Sequence, residues 1–212
     1  MTLRYRITFG KDGSLRYISH LDLARTWERT LRRAGVPLIY SQGFNPHPKL
    51  QLAAALPLGY GSVCELMDVW LGDDAPLPEA LQARLPQFAP PGLNILHVES
   101  TALNAPALQS VIRAATYRAT LDPAVDMAAL KASVEAVLAS EMLPRERRGK
   151  SYNLRPLIYA LEVMPLVLGM TLALTAQGAG RPDEVLDTLG LESHRTPIVR
   201  VGLHFADDPI AR

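Results

Sequence analysis

LRYRITFGKDGSLRYISHLDLARTWERTLRRAG, residues 3–35, encodes a strand followed by a helix. Its first seven residues alternate apolar and polar side chains, which predicts a half-buried strand, and the Lys-Asp-Gly after them predicts a turn. Ser19 and Asp22 have the spacing of a capping box at the start of the helix, and Gly35 is expected to end it. On this helix we expect one apolar stripe to face the core, formed by Leu21, Ala24, Trp27, Leu31 and Ala34.

The apolar patterns in the rest of the chain predict further strands and helices, and the order of these elements in the first half recurs in the second half. In the first half, LQLAAALPLG and SVCELMDVWL predict a hairpin turning at Tyr-Gly, PEALQARLPQF predicts a helix, and LNILHVES predicts a strand. From Thr116 onward a strand, a helix, a hairpin turning near Met164-Pro165, a helix opened by Pro182 and a closing strand follow. The order strand, helix, strand, strand, helix, strand is that of a ferredoxin-like unit.

This repeated order predicts an α+β fold of two tandem ferredoxin-like (βαββαβ) units with antiparallel sheets. The first unit is expected to span residues 1–110 and the second residues 111–212. Residue identity between the halves is not evident, so a single mixed domain is the alternative.

Composition excludes several classes of protein. Hydrophobic residues make up 48% of the 212-residue chain, enough to bury a core, and the net charge of +1 argues against a protein that coats nucleic acid indiscriminately. The charges are separated along the sequence, however. Residues 1–52 contain nine basic and three acidic residues, a net charge of +6, whereas residues 53–112 contain one basic and six acidic residues, a net charge of −5.

The single cysteine, Cys64, excludes an internal disulfide and leaves too few thiolates for an iron–sulfur cluster or a structural zinc site. We expect it to be a small buried hydrophobic residue. No apolar run is long enough to suggest a membrane span, and the first residues do not resemble a signal peptide. These observations predict a soluble cytoplasmic protein without cofactors of its own.

The helix that begins after Ser19 carries four arginines: Arg25, Arg29, Arg32 and Arg33. Their guanidinium groups suit bidentate contact with phosphate or carboxylate. The alternative is a solvated outer face on which Asp22 pairs with Arg25 and Glu28 with Arg32.

In both halves an unusually long polar connection follows the first helix, and such connections are often functional. The first, VPLIYSQGFNPHPK, supplies a predicted recognition loop in which Pro46 and Pro48 stiffen the backbone and Lys49 adds a cation. The loop residues expected to recognise a nucleotide or phosphate are Tyr40, Ser41, Gly43, Phe44, Asn45 and His47. For Phe44 we favour the alternative that its ring packs into the core.

The second connection, EMLPRERRGKSYN, contains the other basic cluster. Its cations are expected to contact phosphates, the alternative being a flexible solvated loop: Arg145, Arg147, Arg148 and Lys150.

Catalysis on this chain has little support in the sequence. His20 and His47 are weak candidates for an acid–base group, but neither has a nucleophile or second histidine at catalytic spacing, and His20 beside Ser19 and Asp22 fits a packed residue at a helix cap. No P-loop, GxGxxG, GxSxG or paired metal-ligand motif occurs.

The ordered pair SHLDL and GFNPHPK, with the arginine-rich helix between them, resembles the radical SAM-linked family of unknown function, whose domain is fused to or encoded beside an uncharacterised radical SAM protein. The resemblance continues through RGKSYNLRPLI and RPDEVL, so it spans nearly the whole chain. It implies a radical SAM partner that carries the iron–sulfur cluster and S-adenosylmethionine. The genomic setting of such families also makes RNA or a ribosome-related particle a plausible substrate of the pair.

We therefore expect an accessory protein, not an enzyme, that binds RNA or a ribonucleoprotein substrate for the radical SAM partner. One alternative is a protein-interaction subunit whose arginine helix docks on an acidic face of that partner. The other is an enzyme acting on a phosphorylated small molecule.

Overall fold

The computed structural model describes residues 1–147, 149–175 and 178–208. The chain divides into two units, Met1–Val111 and Ile112–Arg212. Each unit contains helices and an antiparallel sheet. The predicted α+β fold with antiparallel sheets is thus confirmed. None of the helices within the described residues is long and apolar enough to cross a membrane.

The sheet of the first unit has its first strand in a central position, paired on both sides. In chain order the elements of this unit are β1 (Thr2–Lys11), α1 (His20–Arg33), β2 (Leu50–Leu52), β3 (Gly61–Gly72), α2 (Pro78–Arg84), β4 (Leu93–Thr101) and α3 (Leu108–Val111). Short 3-10 helices lie at Gly13–Tyr17 and Leu85–Gln87. β1 pairs with β3 and β4, and β2 pairs with β3, so the strand order is β4-β1-β3-β2.

Helix α1 begins and ends where the sequence predicts. The hydroxyl of Ser19 accepts a hydrogen bond from the backbone N–H of Asp22 (3.1 Å) and donates one to its carboxylate (2.7 Å). The carboxylate therefore reaches back to the hydroxyl of the cap. At the other end Gly35 has a φ of +62°, a left-handed conformation that glycine adopts without steric cost and that commonly ends a helix.

The core-facing stripe of α1 differs from the prediction at one position. Leu21 is 69% exposed, and Leu23 is buried in its place, together with Trp27 and Leu31. Leu23 lies about one turn before Trp27, whereas Leu21 lies six residues before it and so points about 120° away from it around the helix. Trp27 fixes this register because its fully buried ring packs edge-on against Phe9 of β1, with the ring centroids 5.0 Å apart.

The two apolar runs of the predicted hairpin pair antiparallel, as β2 and β3, but the predicted turn at Tyr-Gly is wrong. Within the first run only Leu50–Leu52 forms a strand, and Gly61 already belongs to β3. Residues 53–60 connect the strands irregularly, because part of this backbone bonds to the first 3-10 helix instead. The N–H of Gly59 donates to the carbonyl of Arg16 (2.8 Å), and the Arg16 side chain donates back to the Gly59 carbonyl (2.8 Å).

Strand β4 lies at the edge of the first unit's sheet, and helix α2 covers part of that edge. The Gln82 amide donates to the carbonyl of Leu96 (3.2 Å) and accepts from the N–H of Val98 (3.0 Å). A side chain thereby occupies backbone groups that a further strand would use.

The second unit has the same order of main elements, with two additional short strands after its first helix. In chain order its elements are β5 (Ile112–Thr120), α4 (Met127–Ala139), β6 (Pro144–Arg147), β7 (Lys150–Asn153), β8 (Ile158–Met164), β9 (Val167–Ala173), α5 (Pro182–Thr188) and β10 (Ile198–Phe205). β5 pairs with β10 and β9, and β9 pairs with β8, so the order is β10-β5-β9-β8. The Asp126 carboxylate caps α4 by accepting from the N–H groups of Ala128 and Ala129.

The second basic connection contains regular structure and is not the flexible loop of the alternative interpretation. β6 and β7 pair antiparallel and form a separate two-stranded ribbon between α4 and β8. The Arg145 side chain donates to the hydroxyl of Thr188, and the Tyr152 hydroxyl donates to the carboxylate of Glu184. Both acceptors belong to α5, so these two hydrogen bonds attach the ribbon to a helix of its own unit.

Candidate functional site

The segment between α1 and β2 forms an ordered projection that we call the 40–49 loop. Two backbone hydrogen bonds close its base, from the N–H of Ser41 to the carbonyl of His47 (2.8 Å) and from the N–H of Lys49 to the carbonyl of Ile39 (2.7 Å). Ile39 and Lys49 also exchange backbone hydrogen bonds with Trp70 of β3, each 3.0 Å long. The Ser41 hydroxyl accepts from the N–H of His47 (3.1 Å). These bonds fix the direction in which the loop projects from the sheet.

The tip of the loop presents an aromatic ring to solvent. Phe44 has 107% of its reference area exposed, and Asn45 and His47 are exposed as well. Our expectation that Phe44 packs into the core is therefore wrong. The base of the loop is closed by its own hydrogen bonds, and Gly43 has a φ of +142° that carries the chain outward before Phe44.

Cations lie over aromatic rings at the base of the loop. The guanidinium of Arg32 is 5.8 Å from the ring centroid of Tyr40, which joins the last turn of α1 to the loop. The ammonium of Lys49 is 4.7 Å from the ring centroid of Trp70, and the guanidinium of Arg4 is 4.8 Å from it. Cation–π contacts hold Arg32 and Lys49 near the loop while their charged groups remain available to an anion, since both residues are exposed.

The other predicted arginines of α1 are all exposed, but they are not equivalent. Arg25 forms an ion pair with Asp22 at 3.2 Å, as the solvated-face alternative expects. Hydrogen bonding from Ser19 lowers the pKa of Asp22, and the Arg25 charge acts in the same direction. In the described part of the chain Arg32 forms no ion pair with Glu28 and lies over Tyr40 instead. The structure thus brings Arg32 to the loop and places Arg25 near the opposite end of the helix.

Part of the basic excess of residues 1–52 is buried and does not belong to any surface. Arg4 and Asp68 are almost fully buried and form an ion pair of 2.6 Å, while Arg6 donates two hydrogen bonds to the same carboxylate (2.9 and 3.1 Å). Lys11 is only 1% exposed. The charge count therefore overstates the positive surface of the first unit.

His20 lies half-buried at the first turn of α1. The pKa of its imidazole is lowered, mainly because the ring is partly buried. The charge of Lys11 also lowers this pKa, whereas the charge of Glu65 raises it. Glu65 and Lys11 are themselves buried, so His20 sits beside a charged cluster inside the unit. The pattern of the sequence did not indicate this cluster, because its members come from three separate elements. His47, the second weak acid–base candidate, lies in the exposed part of the 40–49 loop.

In the second unit the basic cluster divides into held and exposed residues. Arg145 is half-buried and bound to Thr188, whereas Arg147 and Lys150 are exposed at the turn of the β6–β7 ribbon. Arg148 lies outside the described residues. Burial and the bond to Glu184 raise the pKa of Tyr152 to about 12, so the hydroxyl that seats the ribbon keeps its proton at neutral pH.

One polar network was not predicted at all. The imidazole of His204 bonds to the carboxylate of Asp208 (2.8 Å) and to the hydroxyl of Thr116 (2.7 Å), which in turn bonds to the hydroxyl of Thr171 (3.0 Å). Thr116, Thr171 and His204 are far apart in sequence, and the register of β5, β9 and β10 brings them together. The network links three strands of the second unit to the turn that follows β10. Among the described residues, no three His, Cys, Asp or Glu side chains are placed to hold a metal ion.

Comparison with known proteins identifies a family but no activity. No curated protein matches the chain. Among solved structures, an unknown protein from Galdieria sulphuraria is similar at 14% identity over 97% of this chain and 99% of that one, with a TM-score of 0.30 that supports no structural argument. Residues 4–182 match the family described as an uncharacterized protein conserved in bacteria, DUF2344. This match covers most of the sequence, and the chain therefore belongs to the DUF2344 family of uncharacterised bacterial proteins.

Proposed function

We propose that this chain is an accessory protein that binds RNA, or a ribonucleoprotein, as the substrate of a partner radical SAM enzyme. The observation that carries the proposal is the 40–49 loop, which holds an exposed aromatic ring on a hydrogen-bonded base beside two exposed cations. RNA offers both of the complementary groups, since its bases stack on aromatic rings and its phosphates bind cations.

The roles of the residues follow from their positions. Arg32 and Lys49 lie at the base of the loop and would contact phosphates. The exposed side chains of Phe44, Asn45 and His47 would contact bases. Further phosphate contacts would come from exposed cations on α1 and on the ribbon: Arg25, Arg29, Arg33, Arg147 and Lys150.

The radical SAM partner rests on the resemblance carried by SHLDL and GFNPHPK. With Cys64 as its only cysteine, the chain would depend on the partner for the thiolates that hold an iron–sulfur cluster. The partner would also bind S-adenosylmethionine, so the reaction would take place there.

We also propose that both units are ferredoxin-like. The strand orders β4-β1-β3-β2 and β10-β5-β9-β8 support this, because in each unit the fourth strand of the βαββαβ pattern pairs beside the first and the third separates the first from the second. The β6–β7 ribbon is then an insertion between the first helix and the second strand of its unit, where the first unit carries the 40–49 loop.

Salt dependence of RNA binding tests the proposed function. Each phosphate contact to single-stranded RNA contributes about −0.7 to the slope of log K against log salt, so replacing Arg147 and Lys150 by Gln should reduce the slope by about 1.4. The matched control is Arg118→Gln with Lys131→Gln, which removes two exposed charges from β5 and α4 of the same unit. The control should leave the slope nearly unchanged.

Fluorescence anisotropy with a labelled RNA, titrated between 50 and 200 mM salt, measures these slopes. Absence of RNA binding at the lowest salt would overturn the proposed function. Equal flattening by the control pair would show that the effect comes from net charge and that the ribbon makes no local contact.

A second function is favoured by a different observation. Leu21, a large apolar residue, is 69% exposed on the same side of α1 as Arg25 and Arg29, which follow it at successive turns. A helix face that combines an exposed apolar residue with arginines fits an acidic protein surface. On this alternative, Leu21→Glu with Arg29→Glu should abolish co-purification of the radical SAM partner, and the wild-type protein should not bind RNA.

A further inference from the structure

The 40–49 loop allows a more specific inference about the RNA, and this inference rests on the proposed function. We infer that the loop binds unpaired nucleotides, with a base stacked on the ring of Phe44. The loop is pre-organised for such binding. Its closing hydrogen bonds, 2.7 and 2.8 Å long, and its attachment to Trp70 hold the tip in one direction. Binding would therefore require little ordering of the loop backbone.

Phe44 is the most exposed large hydrophobic residue of the described chain, at 107% of its reference area. A phenyl ring at the tip of an anchored projection offers both faces to a ligand. A nucleobase is the flat group that would cover such a face, and stacking on an aromatic ring tolerates any base.

Arg32 and Lys49 are exposed cations at the base of the loop, held near the rings of Tyr40 and Trp70. A ligand that stacks on Phe44 would thus meet positive charge as it passes toward the base of the loop. A single strand, with a base and a phosphate at every step, matches both features.

A regular RNA duplex does not fit the tip of the loop. Asn45 and His47 follow Phe44 in the loop, and both are exposed, so the amide and the imidazole can form hydrogen bonds with base edges. In an A-form duplex the bases are stacked on one another and the major groove is too deep and narrow for side chains to read. Ring stacking and edge contacts at the same tip therefore require bases that are not paired.

The test compares one RNA sequence in two forms at one salt concentration. The probes are a labelled 12-nucleotide single strand of mixed sequence and the blunt duplex formed with its complement. We expect the wild-type protein to bind the single strand about tenfold more tightly, and Phe44→Leu to remove most of that preference while keeping the salt slope. The matched control, Leu77→Ala, changes another exposed apolar residue, which lies outside the loop and is 71% exposed. It should keep the preference.

A second measurement reports stacking directly. A 2-aminopurine base in the single strand should change its fluorescence when the wild-type protein binds, and this change should be lost in Phe44→Leu. Thermal unfolding of each variant shows that it is folded, which is expected because the Phe44 ring lies in solvent.

The possible results separate the inference from the proposed function. Equal affinity of the wild-type protein for the two probes, or a preference that survives Phe44→Leu, overturns the inference about unpaired nucleotides while RNA binding stands. Absence of binding to both probes overturns the proposed function as well. Loss of the radical SAM partner on Phe44→Leu, without any RNA binding, would show that the loop contacts protein and would overturn both.

Discussion

Replacing Asp68 by Asn should destabilise the first unit strongly, because Asp68 pairs with two arginines, Arg4 and Arg6. Its side chain is fully buried and accepts three hydrogen bonds, one from Arg4 (2.6 Å) and two from Arg6 (2.9 and 3.1 Å). The side chain of Arg4 is 2% exposed, whereas that of Arg6 is 19% exposed. Asn is nearly isosteric with Asp, so the substitution removes the charge without creating a cavity.

The size of the effect depends on the hydrogen bonds that Arg4 retains after the substitution. Breaking a buried ion pair by removing one partner costs about 3–5 kcal/mol, because the remaining charge stays buried. Arg4 retains backbone acceptors, the carbonyls of Ala105 and, at 3.1 Å, Pro106, and Arg6 can turn toward solvent. We therefore expect the lower end, about 3 kcal/mol. For a chain of this length that corresponds to about 6–12 °C in Tm.

Urea unfolding monitored by circular dichroism measures the loss of stability, and a thermal scan measures the change in Tm. The control is Asp73→Asn, which removes an exposed carboxylate that pairs with the N-terminal amine at 2.8 Å. Exposed pairs contribute about 0–1 kcal/mol, so the control should change stability little. A loss below about 1 kcal/mol for Asp68→Asn would refute the view that Asp68 compensates the buried charge of Arg4.

Two pH effects are also expected. The pKa of His20 is lowered from 6.5 by burial, so its contribution to stability is present above pH 6.5 and is lost as the pH falls through the pKa of the folded state. His20→Gln should therefore reduce the loss of stability against urea between pH 7.5 and 5.5. An unchanged loss in this variant would contradict the expectation. The pKa of Tyr152 is raised from 10.0 to about 12, so its contribution is complete below pH 10 and is lost as the pH rises toward 12. Tyr152→Phe should remove that part of the alkaline loss in urea stability, whereas Tyr159→Phe, which changes an exposed tyrosine, should not.

The main helices and strands could be predicted because their patterns are local. The cap at Ser19, the left-handed Gly35 and the position of Trp27 on the core side of α1 all follow from spacing along the chain. The β6–β7 ribbon could not be predicted in this way. Its sequence, PRERRGKSYN, has no alternating apolar face, and its seat depends on bonds from Arg145 and Tyr152 to a helix about thirty to forty residues later.

The candidate site was predicted in part for the same reason. The order of residues in GFNPHPK indicates a stiff polar loop, but whether Phe44 points inward or outward depends on hydrogen bonds between the two sides of the loop and with β3. The count of basic residues includes Arg4 and Lys11, although both are buried inside the unit and add no charge to its surface. The partner of Arg4, Asp68, lies opposite Arg6 in the register of β1 and β3, and that register is not visible in either segment alone.

The contact of Gln82 with β4 restricts how a partner can approach the first unit. With the carbonyl of Leu96 and the N–H of Val98 already bonded to the glutamine amide, an incoming peptide cannot continue the sheet at these positions without first displacing α2. The same contact would discourage edge-to-edge self-association of the protein at high concentration. Recognition by this unit is thereby directed away from backbone pairing at this edge and toward side chains, which discriminate between ligands by their chemistry.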